Sequence, residues 1–190
     1  ANLRFNPTQN INLRLSYSSG FRAPQAFDED MHIENVGGTV AMIERAKDLK
    51  EEKSQSFSVS ADMYHRFGAF QTNLLIEGFY TRLTDVFVLG KPYDRGDGIL
   101  VKTRSNGPGA KVMGLTLEGK VAYLSILQIQ AGLTLQRSRY DEPHKWHDDA
   151  PAEKKIFRTP DTYGYFTATC TPVKPLSIAL SGTYTGRMLV

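Results

Sequence analysis

The chain of 190 residues is 41% hydrophobic and 23% charged, the balance of a folded protein with room for one large or two small domains. Its formal net charge of +3 is mild and no basic block interleaves with stacking aromatics, which sets nucleic acid aside as a partner. No apolar run approaches the roughly 18 residues a membrane-spanning helix requires, but strands that are apolar on one face only can cross a membrane at a mean hydropathy as low as the −0.35 found here.

Taken in order, Ala1 to Phe5 reads as a short strand and Asn6 to Gln9 as a turn. From Asn10 to Ser19 the pattern alternates without a break: Ile11, Leu13, Leu15 and Tyr17 fall on one face, Asn12, Arg14, Ser16 and Ser18 on the other, which is strand periodicity. At Gly20 the pattern stops, and a long non-periodic segment runs to about Lys53, with a charged run from Glu44 in which a helical turn or two is the alternative to loop. Alternation resumes near Ser54 with Phe57, Val59, Ala61 and Met63 against Ser56, Ser58, Ser60, Asp62 and Tyr64. After a turn at Phe67-Gly68-Ala69, a strand from Phe70 to Leu89 is predicted. Its faces are less cleanly divided, because Leu75 and Phe79 share a parity with Asn73 and Glu77, so a bulge or packing on both sides is expected.

Gly90 to Gly109 reads as a second long loop with a β-like interlude at Ile99-Leu100-Val101. Ala110 to Tyr123 is predicted as a strand, Leu124 to Ile126 as a tight turn, and Leu127 to Ser138 as the cleanest strand of all. A third long loop follows from about Arg139 to Arg158, then a strand from about Thr159 to Thr171, a turn at Pro172 to Pro175 and a last strand from Leu176. The connections thus alternate short and long throughout. In an up-and-down antiparallel meander this places every short turn at one rim and every long loop at the other, as in outer-membrane barrels. Tyr17, Tyr64, Tyr123, Tyr140 and Tyr184 are candidates for the aromatic girdles of such a wall.

The candidate binding residues lie on the long loops, where recognition usually resides. Arg22, Gln25, Phe27, Asp28 and Glu29 leave the second strand as a ligand-contacting patch or, on the plainer reading, a charge network that docks the loop base. In the third loop His144 and His147 could bind a metal-bearing ligand and Trp146 could stack on a ring. Two imidazoles fall short of the ligand count of a defined metal site, and no resident metal is expected. The acidic residues Asp94, Asp97, Asp148 and Asp149 lack the spacing of a calcium loop. The single Cys170 has no thiol partner for a disulfide. With no nucleophile triad, phosphate loop or placed carboxylate pair, no enzyme activity and no cofactor are expected.

The ordered motifs carry a resemblance. Arg14 to Pro24 (RLSYSSGFRAP) resembles the strand-to-loop segment of TonB-dependent outer-membrane receptors, and Leu49 to Ser54 (LKEEKS) is similar to the family's Leu-Lys-Pro-Glu-x-Ser, with Glu51 where Pro is usual. Phe79 to Phe87 (FYTRLTDVF), Asn106 to Glu118 (NGPGAKVMGLTLE) and Arg158-Thr159-Pro160 continue the match in order across nearly the whole chain. The resemblance implies an all-β fold of about eight strands, residues 1–190 forming part of a larger transmembrane barrel without the plug domain and the final strands. It further implies the outer membrane of a Gram-negative bacterium, contact with outer-membrane lipid and with the parent's plug domain, TonB engaged through that plug, and a small nutrient ligand: a siderophore, haem, cobalamin or glycan. The alternative is a binding or adhesion protein displaying long loops on a small barrel.

Overall fold

The computed structural model describes residues 1–24, 41–96, 99–145 and 151–189. The wall is a single antiparallel sheet ordered β1-β2-β4-β5-β9-β10-β12-β13, in which each strand pairs with the one before it in the meander. Its strands are β1 (Asn2–Thr8), β2 (Ile11–Arg22), β4 (Glu52–Phe67), β5 (Phe70–Thr84), β9 (Ala110–Tyr123), β10 (Leu127–His144), β12 (Thr162–Val173) and β13 (Leu176–Thr185). β11 (Glu153–Lys155) pairs with the end of β10. Within the loops, β3 (Ala41–Arg45), β6 (Phe87–Leu89), β7 (Tyr93–Asp94) and β8 (Leu100–Asn106) form a second, smaller sheet. The short-long rhythm of connections therefore holds along the whole chain, and all short turns fall at one rim.

Register fixes the two faces, because residues directly opposite each other in adjacent strands point the same way. One row runs Leu13, Ala61, Ile76, Leu117, Leu133, Gly164 and Tyr184 across seven strands. A second runs Leu15, Val59, Gly78, Leu115, Leu135 and Thr162. Among the described residues no second protein layer covers this apolar face: Val59 is 60% exposed and Leu180 63%, whereas the buried apolar residues are Val101 and Ala110. A sheet in water would have to cover such a face. The opposite face carries Ser58, Ser60, Glu77, Thr116, Glu118, Gln130 and Thr134, and from Glu52 to Ser60 along β4 its residues are the less exposed half of an alternation.

Aromatic rows bound the apolar face at both ends. Near the short turns Phe67 stacks on Phe70 at 5.4 Å between ring centres, and Phe70 tilts against Tyr123 at 4.8 Å. Toward the long loops Tyr17 meets Phe57 at 4.8 Å, and Phe57 in turn pairs with Tyr80 and Tyr80 with Met113. Phe70 and Tyr80 lie ten residues apart on one strand. At about 3.3 Å per residue and a tilt near 40° that separation spans roughly 25 Å, the height of the apolar band of an outer-membrane barrel. Tyr17 and Tyr123 lie in these rows as expected; Tyr184 lies on the same face but in the mid-band row with Leu133, and Tyr64 and Tyr140 share parity with Asp62 and Ser138 on the polar face.

Several boundaries differ from the sequence reading, each for a local reason. β1 extends through Pro7 to Thr8, so the turn is Gln9-Asn10. Pro7 is accommodated because it lies in the register shift between Phe5 and Thr8. β2 does not stop at Gly20 but continues to Arg22, paired with Glu52. The charged run from Glu44 forms no helix; Glu44 and Arg45 end β3 and Glu52 begins β4. β5 has no bulge in its register with either neighbour, and Leu75 and Phe79 stay on the polar face, the Phe79 ring seated over Gly114. The predicted strand to Leu89 is instead broken at Asp85, whose φ of 55° turns the chain into β6. β10 runs to His144, well past Ser138, because β9 continues to pair with it as far as Tyr140 and β11 pairs with it beyond that.

Candidate functional site

The polar face is organised by short hydrogen-bonded clusters. Register sets Glu118 opposite Gly132 and Lys120 opposite Gln130, and the side chains then close a ring: the Gln130 amide donates to Glu118 at 2.9 Å and to the Tyr165 hydroxyl at 2.7 Å, while that hydroxyl donates to the second Glu118 oxygen at 2.7 Å. Lys120 stands 3.7 Å from the same carboxylate. Glycine makes the ring possible. A Cβ on Gly132 would meet the Tyr165 ring at 2.5 Å, so the ring reaches Glu118 by lying across bare backbone. Gly132→Ala is expected to expel Tyr165, to release Glu118 and Gln130 and to lower stability by about 1–3 kcal/mol, read as a lower urea midpoint for unfolding.

A second cluster lies in the same register rows two strands away, where Asp62 accepts from the Tyr64 hydroxyl at 2.9 Å and from the Asn73 amide. It borders a hollow of about 300 Å³ that Arg14, Ser60 and Glu77 also line. Smaller hydroxyl pairs, Ser56 with Thr81 at 2.9 Å and Thr116 with Thr134 at 3.1 Å, tie strands together on the long-loop side of these clusters. Among the described residues the face offers paired charges and hydrogen-bond donors along its length.

At the long-loop rim the small sheet is bolted to the wall. Asn106, at the end of β8, accepts the Lys50 N–H at 2.8 Å and donates to the carbonyls of Lys50 at 3.0 Å and Asp85 at 2.8 Å. The Gly107 N–H donates to Val86 O at 2.7 Å, and the Glu52 carboxylate accepts the Phe87 N–H at 3.0 Å. Arg104, on β8 of this sheet, is only 7% exposed. Burial first, and the nearby Arg22 guanidinium second, push it below the usual guanidinium value. On the far side of the rim Arg82 forms a two-pronged ion pair with Asp141, at 2.7 and 2.6 Å, across the start of β9. A Cβ on Gly109 would lie 2.6 Å from that carboxylate and 2.8 Å from Leu83 O, so the chain enters β9 beneath the pair only as glycine.

Of the candidates named from sequence, Arg22 ends β2 with its guanidinium 5.6 Å above the Phe87 ring, which places it at the junction of wall and rim sheet. His144 ends β10. Gln25, Phe27, Asp28, Glu29, Trp146 and His147 lie outside the described residues, as does Asp97. Among the described residues no three His, Cys, Asp or Glu side chains gather where they could hold a metal ion. The contacts the sequence reading missed are Asn106 and the Arg82–Asp141 pair, joined to their partners across 56 and 59 residues of chain.

Comparison with known proteins agrees with this geometry. None of the curated proteins matches the chain. Among solved structures it is similar to the FrpB iron transporter from Neisseria meningitidis (TM-score 0.64, 17% identity, 97% of this chain and 26% of that one). It is also similar to the siderophore receptor PirA from Pseudomonas aeruginosa (0.63, 16%, 96% and 33%) and to the ferric-catecholate import receptor Fiu from K12 E. coli (0.62, 14%, 98% and 24%). The chain thus spans between a quarter and a third of the length of these structures, and the likeness is one of fold. The family model described as TonB dependent receptor-like, beta-barrel, matches residues 1–187, and the chain belongs to that family.

Proposed function

We propose that residues 1–190 are a stretch of barrel wall from an outer-membrane receptor that takes up a scarce nutrient ligand, with energy delivered through TonB by way of a plug domain elsewhere in the parent protein. The observation that carries this reading is the two-faced sheet, with an apolar band of membrane height bounded by aromatic rows on one side and a hydrogen-bonded polar face on the other. The open edges support it as well. β1 and β13 each pair on one side only among the described residues, and backbone groups left unpaired in hydrocarbon cost several kcal/mol each, so in a bilayer both edges must find a partner.

In this reading the apolar face meets outer-membrane lipid and the polar face, with its Glu118–Gln130–Tyr165 ring, faces the plug. The long-loop rim is the outer surface, where Arg22, Gln25, Phe27, Asp28, Glu29, His144, Trp146 and His147 are the residues for ligand contact or loop docking. The work is binding and transport without enzymatic turnover. Iron in a siderophore ranks first among the ligands because proteins of the same fold include an iron transporter, a siderophore receptor and a ferric-catecholate import receptor. Haem, cobalamin and glycans follow. The test is growth of a strain lacking the full receptor gene under iron-limited, cobalamin-dependent and glycan-dependent conditions, with and without functional TonB. A TonB-dependent growth defect in one condition assigns the ligand class; unaltered growth and uptake in all three overturn the proposal.

A further inference from the structure

Asn106 is the one asparagine of the chain followed by glycine; the others precede Leu, Pro, Ile or Val. That dipeptide carries a chemistry of its own. Asparagine is among the chemically labile side chains, because the backbone nitrogen of the next residue can attack its carboxamide carbon. Glycine leaves that approach open, having no Cβ to block it. A five-membered imide forms as the Gly107 nitrogen gives up its proton and the Asn106 amide nitrogen leaves as ammonia. Water then adds to one of the two imide carbonyls and opens the ring to aspartate or isoaspartate, so one water is taken up for one ammonia lost.

Packing imposes the glycine. A Cβ at 107 would stand 2.5 Å from Val88 Cγ1, so the pairing of β6 with β8 demands the reactive dipeptide. The same packing disarms it. The Gly107 N–H, which would have to be lost, donates to Val86 O at 2.7 Å. The Asn106 carboxamide, which would have to swing onto that nitrogen, is held at every polar atom: Nδ2 donates to Lys50 O at 3.0 Å and to Asp85 O at 2.8 Å, and Oδ1 accepts the Lys50 N–H at 2.8 Å. We propose that Asn106-Gly107 is a covalent modification site, masked while the rim sheet is docked and exposed to deamidation when β8 parts from the loop before β4 and the turn after β5. Its product cannot redock as before. Aspartate at 106 has no N–H for the two carbonyls and sets a negative charge against them. Isoaspartate also adds a backbone carbon between 106 and 107, which carries the Gly107 N–H away from Val86 O. The reaction thereby turns a reversible opening of the rim into a permanent one.

The experiment follows tryptic peptide 105–111, bounded by Arg104 and Lys111, in full-length receptor aged in detergent at mildly alkaline pH and, in parallel, unfolded in urea. Mass spectrometry reads the gain from amide to acid, and an unaged sample corrects for conversion during digestion. Because modification proceeds from the open state, its rate in the folded protein follows the open fraction. Conversion is expected at least about tenfold slower in the folded receptor than in the unfolded chain. Val101→Ala, which hollows the buried centre of the rim sheet, should raise the folded rate at least about threefold with amide exchange in β9 and β10 unaltered. Equal rates in folded and unfolded wild-type receptor, or no response to Val101→Ala, overturn the masking. In aged receptor, amide exchange in β3, β6 and β8 should rise in proportion to the fraction converted; unaltered exchange at high conversion overturns the permanent opening. Gly107→Ala/Val88→Ala removes the clash at 107 and slows ring closure, so peptide mass and rim exchange should both hold steady over the same ageing. Conversion in that variant as fast as in the wild type overturns the imide route.

Discussion

Leu133→Arg in the full-length receptor is expected to destabilise the wall by about 2–4 kcal/mol, the cost of an arginine at the midplane of a barrel's lipid face. Leu133 lies opposite Leu117 on one side and Gly164 on the other, near the middle of the band between the two aromatic rows, so its side chain has the longest reach to water in either direction. Ser60→Arg is the matched control. Ser60 is on the polar face opposite Arg14 and Glu77, where a new guanidinium has a carboxylate beside it, and it should change stability by no more than about 0.5 kcal/mol. Urea unfolding of both variants in lipid vesicles measures the difference. Equal losses would mean that the two faces do not differ in environment.

Asn106→Ala is expected to release the rim sheet while leaving the wall in place. One side chain satisfies the N–H and carbonyl of Lys50 and the carbonyl of Asp85, joining the loop before β4, the turn after β5 and the end of β8. Removing it should cost about 1–3 kcal/mol of local stability. Amide exchange should rise in β3, β6 and β8 and stay unaltered in β9 and β10. Asn106→Asp discriminates further: it keeps an acceptor for Lys50 N–H but turns a carboxylate toward two carbonyls, so it should release the sheet at least as strongly as alanine. If neither variant alters exchange, Gly107 N–H to Val86 O and the Glu52 contact to Phe87 suffice to hold the rim.

The wall was legible in the sequence because its determinants are local. β9 begins at Ala110 and ends at Tyr123 as its alternation indicates, and β10 begins at Leu127, since each apolar residue is two positions from the next and lipid demands that the period be kept. The rim was not legible for the opposite reason. β3 runs parallel to β8, a pairing no hairpin announces, and its five residues carry no period of their own. Arg22 stood out as a charge at a strand end. The partner ring it lies over, Phe87, belongs to a strand that sequence merges with β5 because Asp85, though a residue that tolerates the left-handed turn, stands there without a neighbouring Gly or Pro. Asn106 was visible only as part of a family motif; its task depends on three backbone groups brought together by the meander.

The parallel pairing of β3 with β8 also orders events in time. Every contact of the wall joins strands that follow one another in the meander, so it can grow strand by strand, with tight turns closing every other connection. The rim sheet cannot. Ala41 meets Leu100 only after the β4–β5 hairpin between them has formed and brought the two loops to the same edge, and closing a loop of that length is a chain-entropy cost nothing local offsets. The wall should therefore assemble first and the outer rim last, so a receptor arrested late in folding would already be seated among its lipids while its outward surface was still unformed.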